Sequence, residues 1–205
     1  MTLKRPELER KAGIVEAALA EFLDKGYENS SMDSIARRAG LSKGGLYHHF
    51  RSKDKILLFA NEKLSEPVAA LMADAVRRHS AAEALRSYIR LYLKYWKDRP
   101  KELIFFFLSM TRVLASAEVW HLYEQYAEQN ISFFQGLLHK GIRAGEFSPH
   151  DTRARAVALM SALDGVVGYL VIDRRLKPGE VGRGFYEVLI APLLARGRVR
   201  PGSDQ

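Results

Sequence analysis

The chain has 205 residues, of which 47% are hydrophobic, and its 32 Lys and Arg against 24 Asp and Glu give a formal net charge of +8. The hydrophobic fraction is high enough for a core and excludes a disordered chain, while the positive charge permits a polyanionic partner. The lack of cysteine excludes disulfides and thiolate metal sites. The charged N-terminus has no apolar signal-peptide region, and no unbroken apolar run approaches the roughly 18 residues of a membrane span. We therefore expect a cytoplasmic protein that does not enter a membrane.

Apolar residues recur at intervals of three and four along most of the chain, which is the spacing of amphipathic helices. No segment alternates convincingly at period two. The predicted helices are one over 6–25, two short ones that begin near Ser31 and Ser42, one from Ser52, and five at about 81–97, 101–114, 117–140, 149–173 and 180–195. The sequence therefore predicts an all-α fold of about nine helices. We expect an N-terminal three-helix head over 1–53 and a C-terminal helical bundle over 54–205.

Two of the predicted helix starts carry recognisable capping residues. Ser30 and Asp33 have the spacing of a capping box at the second helix. Ser148 followed by Pro149, with Asp151 shortly after, is a typical start for the eighth helix. These signals predict where the two helices begin.

The second and third predicted helices are separated only by the four residues "AGLS". Two helices joined by so tight a turn form a helix-turn-helix, whose second helix enters the major groove of DNA. Between 29 and 55, six Lys and Arg stand against two acids, a local charge of +4 that suits phosphate contact. Two of them, Arg37 and Arg38, fit a solvated face and a phosphate contact equally well. Gly44 and Gly45 weaken the third helix by about 1 kcal/mol each, and we interpret them as room for the DNA backbone.

The segment "SMDSIARRAGLSKGGLYHHFRSKDKIL" resembles the DNA-binding signature of the TetR family of bacterial transcriptional regulators. The preceding "IVEAALAEFLDKGYENS" is similar to that family's first helix. The resemblance covers roughly residues 10 to 60 and implies a DNA-contact role for nine positions. These are Ser31, Ser42, Lys43, Gly44, Gly45, Tyr47, His48, His49 and Lys53.

The same resemblance implies which recognition residues contact bases and which contact phosphates. Lys43 and Gly45 match base-reading positions, whereas Tyr47 and His49 match phosphate-binding positions. Gly45 departs from the family pattern, which more often has a small side chain there that touches a thymine methyl. Base readout at that step is therefore expected to rest on Lys43.

Residues from about 80 to 195 carry no comparable signature but are rich in aromatic rings. The segment "ELIFFFLSM", 102–110, is apolar nearly all round, which predicts a helix enclosed by others. Each ring taken singly fits a packed core, although tyrosine hydroxyls need partners in a dry interior. The resemblance implies a ligand cavity, and we expect an aromatic-lined pocket for a small hydrophobic or aromatic effector, with no cofactor and no metal. Its predicted lining residues are Tyr92, Phe106, Met110, Tyr123, Tyr126 and Val167.

Small residues recur along the eighth predicted helix at spacings of 4, 3, 4 and 3. They are Ala154, Ala158, Ser161, Gly165 and Gly168. Such a stripe lets another helix come close, and two copies related by a two-fold axis would make a homodimer interface. In the resembled family the last two helices form such an interface. The alternative is that the stripe packs within the same chain.

The sequence has no glycine-rich phosphate loop, nucleophile elbow or HExxH motif, so we do not expect an enzyme. His121 and Glu124 are three residues apart, but two groups do not make a metal site. Asp164, among apolar neighbours, is expected to hydrogen-bond at the dimer interface or to anchor a ligand.

The leading prediction is a ligand-responsive transcriptional repressor that binds an inverted-repeat operator in double-stranded DNA as a homodimer and is released by its effector. The alternative is a DNA-bound structural or partner-recruiting protein with no small-molecule effector. Activation in place of repression also stays open, because it depends on where the operator lies.

Overall fold

The computed structural model describes residues 5–114 and 120–195, and within these ranges it has the predicted all-α fold. No strand occurs in the described residues, where one isolated antiparallel bridge joins Phe147 and Leu194. The described helices are α1 (Arg5–Lys25), α2 (Met32–Arg38), α3 (Lys43–His49), α4 (Lys53–Arg77), α5 (Ala81–Lys97), α6 (Pro100–Leu114), α7 (Trp120–Arg143), α8 (Thr152–Ile172) and α9 (Pro178–Leu189), followed by a 3-10 turn (Ala191–Leu193). The predicted fold class is confirmed.

The chain divides into two units. The first comprises Met1–Ala69 and Arg99–His121, and so contains α1 to α3, most of α4, and α6. The second comprises Ala70–Asp98 and Leu122–Gln205, and so contains α5, α8, α9 and most of α7. The predicted domain division after residue 53 stays a prediction.

The core of the first unit is built on regularly spaced apolar residues of α1. Ile14, Ala18 and Phe22 repeat at intervals of four, so they share one face, and each is at most 1% exposed. The Phe22 ring stacks on Phe105 of α6 with centroids 5.7 Å apart. The other large side chains of this core are Ile35, Leu46, Phe50, Ile56, Leu57 and Leu64.

Aromatic rings and leucines fill the second unit. Tyr88 of α5 is 2% exposed, and its ring centroid lies 4.7 Å from that of Phe133 and 5.7 Å from that of Phe134. Helix α8 adds a buried row at helical spacing. The row consists of Leu159, Leu163, Val167 and Leu170. The second unit is therefore held by packing between helices distant in sequence.

The capping box of α2 lies one residue later than predicted. The backbone N–H of Ser34 donates to Ser31 Oγ at 3.0 Å, and the backbone N–H of Ser31 donates to Ser34 Oγ at 2.9 Å. Ser30 is buried, and its hydroxyl donates to the carbonyl of Gly26 at 2.8 Å. The predicted box of Ser30 with Asp33 is therefore wrong, because the hydroxyl of Ser30 bonds to the end of α1.

The start of α8 also differs from its prediction. Asp151 caps this helix, since its Oδ1 accepts the backbone N–H groups of Arg153 and Ala154, both at 3.0 Å. The backbone N–H of Ser148 instead donates to the carbonyl of Leu193 at 2.8 Å. The acid three residues after the predicted cap is thus the true cap.

Helix α6 is less enclosed than its sequence predicts. Leu103 and Phe105 are buried, but Ile104 is 48% exposed and Leu108 is 66% exposed. One face of the helix packs into the core of the first unit and another stays open. The prediction of a helix enclosed on all sides is therefore wrong for these side chains.

Among the described helices, α8 is long and apolar enough to cross a membrane by length and composition. Two of its charged side chains are nevertheless bonded within the second unit. Arg153 donates two 2.8 Å hydrogen bonds to Glu128 of α7, and Asp164 accepts one from the Tyr92 hydroxyl at 3.4 Å. We therefore attribute the apolar composition of α8 to packing between helices.

Candidate DNA-recognition surface

The turn between α2 and α3 needs one residue in the left-handed region, and glycine supplies it. Gly40 has a φ of 66°. The backbone N–H of Leu41 donates to the carbonyl of Ala36 at 2.9 Å, which closes the end of α2. Helix α3 then starts at Ser42, whose hydroxyl accepts the Gly45 N–H at 3.1 Å, as expected of a cap. Local hydrogen bonds therefore set the direction of α3.

Helix α3 buries one side and exposes the other. Leu46 is fully buried and anchors the helix in the core of the first unit. Tyr47 is 43% exposed, and Lys43, Gly44 and His48 are exposed as well. The structure therefore brings the predicted recognition residues together on one short, accessible helix.

Lys43 forms an ion pair with Asp33 of α2, with Nζ and Oδ1 3.1 Å apart. The hydrogen bond to Asp33 is the main cause that raises the pKa of Lys43, which stays charged at neutral pH. Both side chains are exposed, and exposed pairs contribute about 0–1 kcal/mol. Lys43 can therefore exchange Asp33 for a base edge at little cost.

The two glycines of α3 differ in what surrounds them. A Cβ at Gly44 would meet nothing within 4 Å, so the fold itself does not require glycine there. A Cβ at Gly45 would lie 3.3 Å from the capping oxygen of Ser42. Gly45 therefore leaves room for the cap, while Gly44 presents bare backbone to the outside.

His48 and His49 lie edge to face, with ring centroids 5.2 Å apart. His49 is half-buried, and burial is the main cause that lowers its pKa, followed by the neighbouring His48. The imidazole of His49 is therefore neutral at neutral pH. It offers a phosphate a ring N–H donor without a full charge.

Lys53 is directed at the protein's own backbone. Its Nζ donates to the carbonyls of Tyr27 and Ser30, both at 2.7 Å, and lies 4.1 Å from the Tyr27 ring centroid. These contacts hold the ammonium group within the first unit, and the phosphate contact predicted for Lys53 stays a prediction. Ser31 is exposed at the start of α2, where its hydroxyl caps the helix.

Sequence reasoning missed the buried carboxylate of Glu21. This residue is 3% exposed and forms ion pairs with Lys25 at 2.7 Å and Arg38 at 3.1 Å. The hydrogen bond from Lys25 is the main cause that lowers the pKa of Glu21. Arg38 also pairs with Asp24, so the structure favours an internal ion pair over a free phosphate-contact residue. The sequence does contain one signal for this burial. Glu21 lies three residues after the buried Ala18, so the two share one side of α1.

A three-helix head with an exposed basic recognition helix defines a helix-turn-helix DNA-binding regulator. Residues 14–59 match the family model described as bacterial regulatory proteins, tetR family. The uncharacterized HTH-type transcriptional regulator YwcC of Bacillus subtilis is 27% identical over 75% of this chain and 72% of its own length. The fatty acid metabolism regulator protein of the same organism is 24% identical over 94% of this chain and 98% of its own. Residues 14–59 therefore carry the DNA-binding region of the TetR family of transcriptional regulators.

A solved structure extends the likeness to the whole fold. The transcriptional regulator FadR from Bacillus subtilis, crystallised with stearoyl-CoA, has a TM-score of 0.76 at 22% identity, covering 89% of this chain and 98% of that one. At this identity the likeness shows the fold alone. The likeness in fold therefore extends to the helices beyond the head.

The relatives named above are transcriptional regulators and not enzymes. In the part of the chain that the structure describes, no group of three or more His, Asp or Glu is arranged to hold a metal ion. The side chain of His121 lies outside the described residues.

The predicted effector residues are divided between the two units. The second unit holds Tyr92, Tyr126 and Val167. The first unit holds Phe106 and Met110, and the side chain of Tyr123 lies outside the described residues. A cavity found in the second unit lies elsewhere, between α5 and α9, and none of the six residues lines it. Their role as a pocket stays a prediction.

Asp164 is a half-buried acid of the second unit. It accepts a hydrogen bond from Tyr92 within the same chain, and burial raises its pKa to about 6. The hydroxyls of Tyr88 and Tyr126 lie near the same pair. The contact seen is an intrachain hydrogen bond, and the two roles predicted for Asp164 stay predictions.

The small-residue stripe lies on the open side of α8. Its first four members are exposed and the last is half-buried: Ala154, Ala158, Ser161, Gly165 and Gly168. Tyr169 and Ile172 continue this side and are 66% and 79% exposed. The four exposed positions do not pack within the chain.

Proposed function

We propose that the protein is a homodimeric repressor that binds an inverted-repeat operator in cytoplasmic DNA and is released by a small hydrophobic or aromatic effector. The observation that carries the proposal is the exposed face of α3, with Lys43, Gly44 and Tyr47 presented together. A two-fold axis would set two such helices in successive major grooves, about 34 Å apart. The operator half-sites would then be inverted repeats.

The surface chemistry supports a division between reading and positioning. Lys43 can donate to the major-groove acceptors of guanine once it leaves Asp33. The Tyr47 hydroxyl and the ring N–H of His49 can donate to phosphate oxygens, which fixes register without reading sequence. The bare backbone at Gly44 allows the strand to approach between them.

Fluorescence anisotropy with DNA flanking the gene, across a salt series, tests the proposal. We expect tight binding that weakens steeply with salt. Lys43→Ala should lose about 1–3 kcal/mol and relax specificity, whereas Tyr47→Ala should weaken all sequences alike. Lys101→Ala removes the same charge from an exposed position of α6 and should bind as wild type. Binding that ignores sequence and is equal in all four proteins would refute the assignment.

The exposed sides of α8 and α9 support the homodimer. The small-residue stripe permits close helix packing. Tyr169, Ile172 and Val188 add apolar surface that is 66%, 79% and 71% exposed in the single chain. Apolar surface of this kind marks interaction sites, and two-fold symmetry lets one patch meet its own copy.

Gly165→Arg places a long charged side chain in the middle of the stripe. We expect the mass measured by light scattering to fall from two chains to one, with loss of tight operator binding because two linked heads no longer act together. Gly136→Arg is the matched control, since Gly136 is exposed on α7 with open space around its Cβ position. A wild-type chain that is monomeric at micromolar concentration would rule out the dimer.

For the effector, a long acyl chain is the first compound to test. The fatty acid metabolism regulator and the FadR complex with stearoyl-CoA support this choice. In the anisotropy assay stearoyl-CoA should release the operator, whereas coenzyme A without an acyl chain should not. A hundredfold loss of DNA affinity requires about 2.7 kcal/mol of preference for the released state. Failure of every hydrophobic compound would favour a DNA-bound structural protein without an effector.

A further inference from the structure

A groove between α5 and α9 in the second unit takes no part in the proposed function. Its volume of about 390 Å³ is in the range of small-molecule sites. Its lining includes the buried residues Ser87 and Tyr186, which are 9% and 5% exposed. The charged side chains that line it are Arg78, Glu83, Arg86, Arg90, Arg183 and Glu187.

A glycine brings the two helices of the groove together. A Cβ at Gly182 of α9 would lie 3.5 Å from Leu93 Cδ1 and 3.9 Å from Arg90 Cα, so the helix backbones are close. Arg86 and Arg90 are four residues apart and therefore share a face of α5. The guanidinium of Arg86 lies over the Tyr186 ring, 4.1 Å from its centroid, and braces one side of the groove.

The arginines of the groove outnumber the acids that could neutralise them. Arg78 pairs with Asp74 at 3.1 Å, but its Nε–H is buried without an acceptor among the described residues. Arg86, Arg90 and Arg183 form no ion pair with any described residue. Positive charges gathered around one recess repel each other unless an anion lies between them.

We propose that this groove binds the diphosphate group of a small phosphorylated molecule. Guanidinium groups bind phosphate oxygens through paired N–H donors. Three guanidiniums without ion pairs match the charge of a diphosphate better than the single charge of a carboxylate. Duplex DNA is the poorer match, because the recess has the volume of a small molecule.

The groove and the proposed dimer surface lie on different sides of α9. At about 100° per residue, Val188 lies roughly 140° around the helix from Arg183. A second copy packed on the side of Val188 would leave the side of Arg183 open. The groove would therefore stay accessible in the proposed dimer, and the proposal does not depend on that dimer.

Isothermal titration of the full chain with inorganic pyrophosphate, and separately with adenosine diphosphate, tests the site. We expect saturable binding of one molecule per chain. Arg90→Ala and Arg183→Ala should each weaken it about tenfold or more, because a hydrogen bond between charged groups is lost. Arg174→Ala removes the same charge from an exposed position outside the groove and should change nothing. Glu187→Gln should tighten binding roughly two- to fivefold by removing repulsion.

The two probes separate the possible sources of the phosphate groups. Equal affinity would assign recognition to the diphosphate itself, and tighter binding of the nucleotide would assign it to a nucleotide. Absence of saturable binding of both probes would overturn the proposal, as would equal weakening by Arg174→Ala. Loss of operator affinity in the groove variants without any pyrophosphate binding would identify DNA as the occupant and also overturn it.

Discussion

The two units carry their candidate chemistry in opposite ways. In the first, most predicted contact residues come from one stretch, 42–49, on a helix directed by the hydrogen bonds of its own turn. In the second, the groove arginines come from the residue after α4, from α5 and from α9, and the first and last of them are about a hundred residues apart in the sequence. A site formed by neighbouring residues can be recognised in the sequence. A site formed by residues of distant helices exists only after those helices have packed together.

The units also differ in the surroundings of one acid in each, buried Glu21 and half-buried Asp164. Glu21 of the first unit meets two cations, Lys25 and Arg38, and its pKa is lowered. Asp164 of the second unit meets the hydroxyl of Tyr92, and burial raises its pKa to about 6. Ionisation therefore stabilises the first unit at Glu21 and destabilises the second at Asp164.

The largest expected effect tests how tightly the second unit is packed. A Cβ at Gly141 of α7 would lie 2.1 Å from Phe147 Cδ2, and Phe147 is 2% exposed. We expect Gly141→Ala to lower the free energy of unfolding by about 3 kcal/mol, because the ring has no free space to enter. Gly136→Ala, on the same helix with open surroundings, should raise it by up to about 1 kcal/mol. Urea unfolding with equal midpoints for both variants would contradict this account.

The next effect concerns Asp164 and pH. Its folded pKa of about 6 lies above its ordinary value of 3.8, so the folded protein binds this proton more tightly than the unfolded chain. Its contribution to stability is therefore full below about pH 4 and is lost as pH rises through about 6. Asp164→Asn should stabilise the protein by about 1–3 kcal/mol at pH 7.5 and little at pH 4.

Urea unfolding at several pH values measures this difference. Asp98→Asn is the control, because Asp98 is an exposed acid on α5's C-terminal side and its change should have little effect. A wild type more stable than Asp164→Asn at pH 7.5 would mean that the ionised carboxylate is satisfied, as Glu21 is.

The smallest expected effect on stability comes from a substitution in the head that should change stability and operator binding in opposite directions. Gly44→Ala should raise the free energy of unfolding by about 0.5–1 kcal/mol, since the new methyl meets no protein atom and alanine favours the helix. It should nonetheless weaken operator binding, because the methyl stands where the DNA backbone approaches. Gly45→Ala presses on the Ser42 cap and should gain less stability or lose some. Thermal unfolding and anisotropy on the same samples would show whether stability and operator affinity change in opposite directions. Unchanged operator affinity in Gly44→Ala would refute the role proposed for this glycine.

Much of the first unit was predictable because its signals are local. The helix spacing of Ile14, Ala18 and Phe22, the cap at Ser42 and the turn at Gly40 each depend on residues within a few positions. The error at the start of α2 arose because a side chain bonds outside its own helix. The hydroxyl of Ser30 bonds to the carbonyl of Gly26, just after the end of α1.

The sequence by itself determined that the chain is helical, where most helices lie, and which short helix carries the predicted DNA-contact residues. Periodicity, caps and turns are properties of neighbouring residues, so they need no tertiary context. Only the tertiary structure decided that Glu21 is buried between cations, that Asp164 faces Tyr92, and that arginines of α5 and α9 line one groove. Those features depend on which helices meet and at what distance, and the order of residues does not specify either.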